Sequence, residues 1–523
     1  MASHPSERAL VAGSGPASDY ARRLLADLGV AVASAPGPRD RHPALAWAVS
    51  GAMALTGRPE ALPRVPSGAL ASCAEGVGRA LAALGARAPH DPAALLGERA
   101  ALFGLARGGR IAPGGACRLL RAADGWAALT LARDDDRRAL PAWLEVEASG
   151  EPSWDVADRE LARRPLAWLA ERARWLGLAF APAAPAPSRA APWLAAAECG
   201  PRGDPLRAPR VLDFSALWAG PLCAALLADA GADVIKIESA RRLDASRAQR
   251  AQVSRSERKF RAASASFAQR AQVSRSEPEA SEDHQVGERR PSGGRAKTIR
   301  WASEDHQVGE RRPSGARAGA AAFYDLLNAR KRSAVLDFGD ARDAALLAAL
   351  LASADMLIES ARPRALAQLG VDAEAFVAAR AGRVWLSITG YGRGDPAPGR
   401  VAFGDDAAVA AGAAHAVADA DGPLFCADAI ADPLTGLHAA LAAWAGWRAG
   451  GGVLLDLSLC GVTAHALAFA PTGECEVVGG ADTARVIAGG AEARVAAPRA
   501  RNDCARARAA GGDTEMLRQE LAC

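Results

Sequence analysis

The stretch Arg210-Val-Leu-Asp-Phe-Ser-Ala-Leu-Trp-Ala-Gly-Pro221, continued to Glu238, decides the fold class of this chain. A short apolar strand at 211–214 is followed by a turn at 219–221, a helix of small residues at 222–230 and a second apolar strand at 233–237. This spacing is typical of the opening of a parallel, Rossmann-like sheet. The turn has one Gly-Pro pair and does not match the G-x-G-x-x-G dinucleotide fingerprint, so the sequence does not favour a nicotinamide or flavin enzyme.

The same pattern resumes after an interruption. Apolar segments predict strands at 333–338, 355–359, 383–389 and 453–459, with helices at 341–352 and 373–379. A Gly/Pro-rich loop at 390–399 follows one of these strands, at the edge where open α/β sheets bind ligands. The predicted fold is therefore α/β, with a Rossmann-like parallel sheet domain and a smaller, helix-rich α+β domain at the N-terminus.

The interruption is a basic repeat insert at 247–317. It holds 16 Lys or Arg against 9 Asp or Glu, a local charge of +7, whereas the whole chain carries +4, which leaves the remainder near −3. Residues 248–257 recur at 268–277, and 280–293 recur at 302–315. So polar a segment cannot offset its ordering entropy by burial, and disorder is predicted. Without interleaved aromatic residues, a nucleic-acid partner is not favoured.

The sequence divides into a tail (1–41), a helix-rich domain (42–180), a Pro/Ala linker (181–207), the sheet domain (208–246 and 318–470) interrupted by the insert, and a C-terminal tail (471–523). A length of 523 residues predicts two or three domains. No apolar run of about 18 residues and no signal pattern is seen, which predicts a soluble cytoplasmic protein without a membrane partner. The nine cysteines are scattered, so neither a zinc site nor a disulfide framework is expected.

The segment Cys426-Ala-Asp-Ala-Ile-Ala-Asp-Pro-Leu-Thr-Gly-Leu-His438 contains the main candidate site residue. An Asp followed by Pro and helix formers predicts a helix start, with Asp432 as the N-cap and Pro433 at the first helical position. There the carboxylate would lie beside outward-pointing backbone amides. The simpler alternative is that Asp432 is only a cap.

Five ordered blocks resemble the class III CoA-transferases, the family of formyl-CoA and carnitine CoA-transferases and of α-methylacyl-CoA racemase. The blocks extend over about 250 residues, insert included, and are those at 210–221, 227–238, 327–333, 355–359 and 386–392. The family's catalytic Asp lies in a block that Asp432, Gly436 and His438 match. The resemblance implies that Asp432 is a nucleophile that attacks an acyl-CoA thioester, which forms a mixed anhydride and then an aspartyl-CoA thioester.

The resemblance also implies further site residues. Trp218 and Ala219 would line the pantetheine and adenine side of CoA, and Gly436 and His438 of the catalytic block are candidate substrate- or CoA-binding residues. Candidates near the CoA phosphates are Lys331 or Arg332, and Arg362, although each could be an ordinary surface charge. CoA would be a substrate, with no permanently bound cofactor and no metal. The partners would be acyl-CoA, a carboxylic acid and a second copy of the chain in a homodimer.

The chain also departs from the family pattern. Phe403-Gly404-Asp405 stands where the racemases have a Gly-His-Asp block, so a two-base racemase has no evident histidine. Asp405, with Asp406, is a candidate acid/base or orienting group, and the alternative is an exposed, solvated pair. The segments 50–57 and 123–126 resemble pieces that belong after the sheet half, as in a fusion of two incomplete copies. The rival hypotheses to a transferase are a non-catalytic CoA-binding paralogue and an acyl-CoA racemase or hydrolase.

Overall fold

The computed structural model describes residues 8–147, 153–205, 207–241, 243–244, 314–360, 364–394, 399–502 and 505–522. The insert predicted over 247–317 lies outside the described residues up to 313, and its last four residues already belong to a helix that begins at Ser314.

The chain begins with a strand–helix–strand unit, β1 (Ala9–Ser14), α1 (Pro16–Asp27) and β2 (Val32–Arg39), whose two strands pair in parallel. The sequence patterns predicted a tail over 1–41. Residues 9–39 instead fold because α1 buries Tyr20, Leu24 and Leu25 in the main core.

The helix-rich part follows. It contains α2 (Pro43–Val49), α3 (Leu70–Ala83) and α4 (Glu98–Phe103), with 3-10 turns at Met53–Leu55 and Pro92–Gly97. A three-stranded antiparallel sheet is then formed by β3 (Cys117–Ala122), β4 (Gly125–Thr130) and β5 (Ala179–Pro182). The accompanying helices are α5 (Asp134–Arg138), α6 (Leu140–Leu144), α7 (Trp154–Leu161) and α8 (Leu166–Leu176).

The second half of the chain contains the large sheet. Its strands are β6 (Ala195–Glu198), β7 (Arg210–Asp213), β8 (Asp233–Ser239), β9 (Arg332–Leu336), β10 (Met356–Glu359), β11 (Val384–Thr389) and β12 (Val453–Ser458). They lie in the order β6-β12-β11-β10-β7-β8-β9, and every pair is parallel except β6 with β12. The predicted α/β class with a parallel sheet is confirmed. The segment expected as a linker at 181–207 contributes the edge strand β6.

Apolar strands such as Val384-Trp-Leu386 are buried because helices cover both faces of the sheet. The helices of this half are α9 (Ala219–Asp229), α10 (Ser314–Asn328), α11 (Ala341–Ser353), α12 (Arg364–Ala367), α13 (Ala373–Ala378), α14 (Gly404–Ala410), α15 (Ala413–Ala416), α16 (Ala431–Arg448) and α17 (Leu459–Phe469). The C-terminal segment, expected as a tail, forms β13 (Glu476–Val478), β14 (Arg485–Ala488), β15 (Ala491–Arg494) and α18 (Thr514–Glu520).

The two halves share one hydrophobic core. Leu70 of α3 and Leu437 of α16 belong to the same buried cluster, and these two helices pack against each other. The Oη of Tyr20 in α1 lies 2.8 Å from Nε2 of His438 in α16. The N-terminal half is therefore packed directly against the helix that carries Asp432.

Candidate active site

Asp432 lies in the first turn of α16 but is not its cap. The helix begins at Ala431 after Ile430, which has helical backbone angles, and no side chain caps it. The predicted N-cap role of Asp432 is therefore wrong, and Pro433 stands at the third helical position rather than the first. Because Asp432 does not cap its own helix, its carboxylate is left to face other elements.

Those elements are the N-termini of two other helices. The backbone amides of Ala219, the first residue of α9, and of Gly404, the first residue of α14, lie on the side of the Asp432 carboxylate and lower its pKa. A Cβ built on Gly404 would lie 2.2 Å from Oδ2 of Asp432, so only glycine fits this approach. Backbone amides at helix N-termini favour negative charge, and the same donors are suitable for an oxyanion that develops during acyl transfer.

Three neighbouring carboxyl groups have raised pKa values. Burial raises the pKa of Asp432 to about 7, although the Arg99 guanidinium and the amides of Ala219 and Gly404 oppose the rise. Burial likewise raises the pKa values of Asp405 and Asp406 to about 7, and the Asp428 carboxylate adds to the rise at Asp405. Perturbed carboxyl groups that converge on one place are typical of functional sites.

Asp405 and Asp406 are not a solvated loop pair, so that alternative is wrong. Both lie in the first turn of α14, and Asp406 is fully buried. The Oδ1 of Asp406 accepts hydrogen bonds from the Phe403 amide at 2.9 Å and the Thr130 hydroxyl at 3.0 Å. Asp405 Oδ1 accepts from the Ala429 amide at 2.9 Å. Each carboxyl therefore orients backbone next to Asp432.

Sequence reasoning missed an ion pair at the centre of the site. Asp428 is fully buried, and Arg99 of α4 holds both of its oxygens, with Nε 2.8 Å from Oδ2. The Arg99 guanidinium carbon also lies 5.2 Å from the centre of the Trp218 ring. Asp428 stands in the quoted segment, but no sequence signal connects it with an arginine 329 positions away.

Strained backbone flanks the carboxylates. Leu217, Ala427 and Ala429 have φ angles of 71°, 57° and 44°, and they are three of the five non-glycine residues with positive φ in the described ranges. Left-handed backbone is unfavourable for residues with a Cβ, and such strain is concentrated at functional sites. All three residues belong to the loops that lead into α9 and α16.

Ala219 lies near Asp432, and Trp218 immediately precedes it; that the two residues line the pantetheine and adenine side of CoA stays a prediction. Trp218 precedes α9 and is 3% exposed, and its indole Nε1 is buried with no hydrogen-bond partner among the described residues. Gly436 lies one turn along α16 from Asp432, where a Cβ would stand 2.8 Å from the Ala219 carbonyl oxygen. Gly436 therefore allows α9 and α16 to approach closely, which keeps the Ala219 amide against the carboxylate.

His438 faces the core rather than a substrate. Its Nδ1–H donates to the Leu434 carbonyl oxygen at 2.7 Å, so Nε2 accepts the hydrogen bond of the Tyr20 hydroxyl. Burial lowers the pKa of His438 to about 3, which keeps the ring neutral. The side chain is fully buried, so the structure assigns it a packing role rather than the predicted role in substrate binding.

The candidate phosphate-binding cations already have carboxylate partners. Lys331 is 2% exposed, and its Nζ lies 2.8 Å from Oδ2 of Asp213 and 2.9 Å from the Pro221 carbonyl oxygen. Arg332 pairs with Asp233 and Glu520. Arg362 lies outside the described residues. The buried Lys331 is not an ordinary surface charge, and a CoA-phosphate contact for any of the three stays a prediction.

Other features of the described part of the chain do not compete with this site. A cleft of about 240 Å³ lined by Ala170, Arg174, Phe180 and Arg400 is formed by other residues than those around Asp432. Within the described ranges, no three His, Cys, Asp or Glu side chains are grouped so as to hold a metal ion. None of the described helices is both long and apolar enough to cross a bilayer.

Comparison with known proteins identifies relatives of the second half of the chain. The model of CoA-transferase family III matches residues 206–274 and 303–505, which include Asp432 and make up just over half of the chain. A succinate–glutarate CoA-transferase from Agrobacterium fabrum is 26% identical over 272 residues, 51% of this chain and 54% of that protein. A succinyl-CoA:glutarate CoA-transferase from Mus musculus is 28% identical over 144 residues, 27% of this chain and 33% of that protein.

The chain thus spans about half the length, or less, of these curated relatives. Among solved structures, a CAIB/BAIF family protein from Brucella suis is 24% identical and covers 51% of this chain and 56% of that chain, with a TM-score of 0.34. A hypothetical protein from Mycobacterium tuberculosis is 20% identical over 50% of this chain and 56% of that chain, with a TM-score of 0.33.

Proposed function

Because this chain belongs to CoA-transferase family III, we propose that it moves CoA from an acyl-CoA thioester to a carboxylic acid through a covalent intermediate on Asp432. The observation that supports this most is the close approach of the N-terminus of α14 at Gly404 to the Asp432 carboxylate, whose pKa is raised to about 7. The names of two relatives suggest dicarboxylic acids such as succinate and glutarate as the first substrates to test. We also propose that the chain forms a homodimer, as the family resemblance implies, and that it is cytoplasmic, as the sequence predicts.

In the proposed mechanism, an Asp432 oxygen attacks the thioester carbonyl, the C–S bond breaks and CoA leaves as the thiolate. The product of this step is a mixed anhydride between the acyl group and Asp432. The thiolate then attacks the aspartyl carbonyl carbon, which releases the first acid as a carboxylate and leaves an aspartyl-CoA thioester. An acceptor carboxylate repeats the two steps in reverse order and leaves with CoA, which regenerates the Asp432 carboxylate.

The surroundings of Asp432 suit these steps. The amides of Ala219 and Gly404 would donate to the oxygen that becomes negative at each attack. The raised pKa makes the carboxylate a stronger base and nucleophile than an exposed Asp, while about half of it is still ionised near pH 7. Asp405, also with a raised pKa, is the proposed orienting group, since it holds the Ala429 amide in the loop before Asp432.

The test is mass spectrometry of the purified protein after brief exposure to succinyl-CoA or glutaryl-CoA. Hydroxylamine would convert an aspartyl thioester to a hydroxamate, and borohydride would reduce it to an alcohol, in either case at Asp432. Asp432→Asn, which keeps the size of the side chain, is expected to form neither product. Asp419→Asn, a change at an aspartate paired with Arg58 instead, serves as the control that still reacts.

If no thioester of a wider acyl-CoA panel yields an adduct while CoA still binds, the proposal is wrong. The alternative of a non-catalytic CoA-binding protein would then be favoured. Exchange of an α-proton of the substrate without an adduct would instead favour the racemase alternative.

A further inference from the structure

The N-terminal strand–helix–strand unit repeats the one that opens the large sheet. Leu24-Leu-Ala-Asp-Leu-Gly29 of the first unit and Leu226-Leu-Ala-Asp-Ala-Gly231 of the second are identical at five of six positions, 202 residues apart. In both units the segment ends the helix and leads into the second strand, and in both the strands pair in parallel. The two units are therefore alike in sequence and in topology.

A second correspondence relates α3 to α16. Ala80-Leu-Ala-Ala83 and Ala440-Leu-Ala-Ala443 are identical, 360 residues apart, and at the same spacing Gly76 corresponds to Gly436. A Cβ on Gly76 would lie 2.7 Å from the Ala17 carbonyl oxygen, and one on Gly436 would lie 2.8 Å from that of Ala219. Ala17 and Ala219 are again 202 residues apart. Each half thus contains the same close helix–helix contact: α3 with α1 in the first half, and α16 with α9 in the second.

This correspondence shows what the first copy has in place of Asp432. At the spacing of 360 residues, the position of Asp432 is taken by Ser72 in α3. Ser72 is 1% exposed, and its hydroxyl has no hydrogen-bond partner among the described residues. A buried serine without a neighbouring base is not activated for attack. The first copy therefore has no counterpart of the nucleophile.

The N-terminal half instead contacts the loops around Asp432. The Ala427 amide donates to Oγ1 of Thr56 at 3.0 Å, and Arg99 holds both oxygens of Asp428. The Phe425 amide donates to the Gly109 carbonyl oxygen at 2.9 Å. Three residues of the loop that leads into α16 are thus bound by the first half of the same chain: Phe425, Ala427 and Asp428.

Arg99 is the cation that faces the carboxylates from this side. The groups that surround it are Asp428 in the loop, Asp432 in α16, Asp405 in α14 and the Trp218 ring. Asp406, the other carboxyl group in the first turn of α14, is held by Thr130. Arg99 therefore has two effects on the site: it anchors the strained loop through Asp428, and its positive charge favours the ionised form of Asp432.

We propose that the N-terminal half is a second, non-catalytic copy of the fold that completes the Asp432 centre within one chain, with Arg99 as its positioning residue. The proposal rests on the proposed function for its catalytic consequence, whereas the ionisation of Asp432 can be measured without turnover.

The experiment compares the full-length protein with Arg99→Met. The ¹³C NMR signal of the Asp432 carboxyl group, assigned by its loss in Asp432→Asn, is titrated with pH, and the rate of adduct formation with succinyl-CoA is measured over the same range. Loss of a facing positive charge is expected to move the midpoint upward by about one pH unit or more. The adduct rate at pH 7 should fall on the order of tenfold. Arg99→Lys keeps the charge and should keep the midpoint while it slows adduct formation.

Arg58→Met is the matched control. Arg58 also joins the two halves, with Nε 2.6 Å from Oδ2 of Asp419, and the Arg58 and Arg99 side chains are both 26% exposed. This variant should leave the Asp432 midpoint unchanged. An unchanged midpoint in R99M would overturn the proposal. If R99M does not fold, the test is the adduct rate of R99K. A rate in R99K equal to that of the wild type would overturn the positioning role of Arg99.

The copy itself is tested at Ser72. Ser72→Ala removes a hydroxyl without a partner, so adduct formation should stay within about twofold of the wild type, with one labelled aspartate per chain. Abolition of the adduct in S72A, with an unchanged Asp432 midpoint and a normal circular dichroism spectrum, would overturn the non-catalytic assignment. Failure of the wild type to form any adduct would contradict the proposed function alone, because the NMR midpoints still test Arg99.

Discussion

Gly404 and Asp432 are in such close contact that a methyl group on Gly404 would lie 2.2 Å from the carboxylate oxygen Oδ2. The same imagined Cβ would lie 2.6 Å from the Ala429 carbonyl oxygen, which is backbone and cannot move aside easily. The first residue of α14 therefore determines where the carboxylate at the start of α16 stands.

The Gly404→Ala substitution is expected to push the Asp432 carboxylate away from the backbone amide of residue 404. Loss of a single positioned donor at such a site typically costs on the order of 100-fold in rate. Adduct formation at Asp432 should fall by that amount, and thermal unfolding would show how much of the loss is due to the fold. Gly446→Ala, further along α16, where the nearest atom to the new Cβ is a Leu455 methyl carbon at 3.3 Å, is the control and should leave both nearly unchanged. Full activity in G404A would contradict the assigned geometry.

Activity should depend on the ionisation of Asp432. Since burial raises the pKa of this group to about 7, the rate of adduct formation should rise with pH, reach half of its maximum near pH 7 and level off at higher pH. Single-turnover measurements at saturating acyl-CoA from pH 5 to pH 9 test this. A rate already at its plateau at pH 5 would mean that the carboxylate is ionised as in an exposed Asp.

The raised pKa of Asp432 also predicts how stability depends on pH. As pH rises, adduct formation should become faster, whereas the contribution of this group to the free energy of unfolding should fall. A carboxyl group with a raised pKa binds more protons in the folded than in the unfolded state between about pH 4 and pH 7, so its contribution to the free energy of unfolding falls as pH rises through that window. Asp432→Asn does not titrate there. The Tm of the variant minus that of the wild type should therefore increase from pH 5 through pH 7 and level off at higher pH. A difference that is independent of pH would contradict this.

Lys331 is expected to stabilise the fold rather than bind substrate. Lys331→Met would leave the buried Asp213 carboxylate its hydrogen bonds from Ser215 but remove the cation paired with it, which typically costs about 3 to 5 kcal/mol. Arg330→Met breaks a more exposed pair with Asp229 and should cost less than about 1 kcal/mol. Urea unfolding of both variants gives the comparison. Equal losses, or a loss in K331M confined to the KM for acyl-CoA, would favour the predicted phosphate contact instead.

Gly436→Ala should separate α9 from α16. The new Cβ would lie 2.8 Å from the Ala219 carbonyl oxygen and 2.9 Å from a Leu222 methyl carbon, and overpacking of this kind costs about 1 to 3 kcal/mol. In Gly446→Ala, on the same helix, the nearest atom is a Leu455 methyl carbon at 3.3 Å. That control should change the free energy of unfolding by less than about 1 kcal/mol, because alanine favours the helix more than glycine does and this gain offsets the closer contact. Similar losses in both variants would contradict the special role of Gly436.

The sequence alone determined the elements that depend on local pattern. The predicted helix at 341–352 is observed at Ala341–Ser353, and the strand predicted at 383–389 is observed at Val384–Thr389, because apolar periodicity is a property of neighbouring residues. It also selected Asp432, with Trp218 and Ala219, through blocks of adjacent residues that resemble a known family.

Only the tertiary structure decided what surrounds Asp432. Asp405 and Asp406 form an ordinary polar pair in sequence, and their raised pKa values arise from burial in the folded chain, where Thr130 of the N-terminal half contacts Asp406. The Arg99–Asp428 pair joins positions 329 residues apart. His438 is neutral because burial lowers its pKa to about 3, and its Nε2 hydrogen-bonds Tyr20 from the other half of the chain. Burial and charge pairing depend on which distant segments pack together, and no local pattern in the chain carries that information.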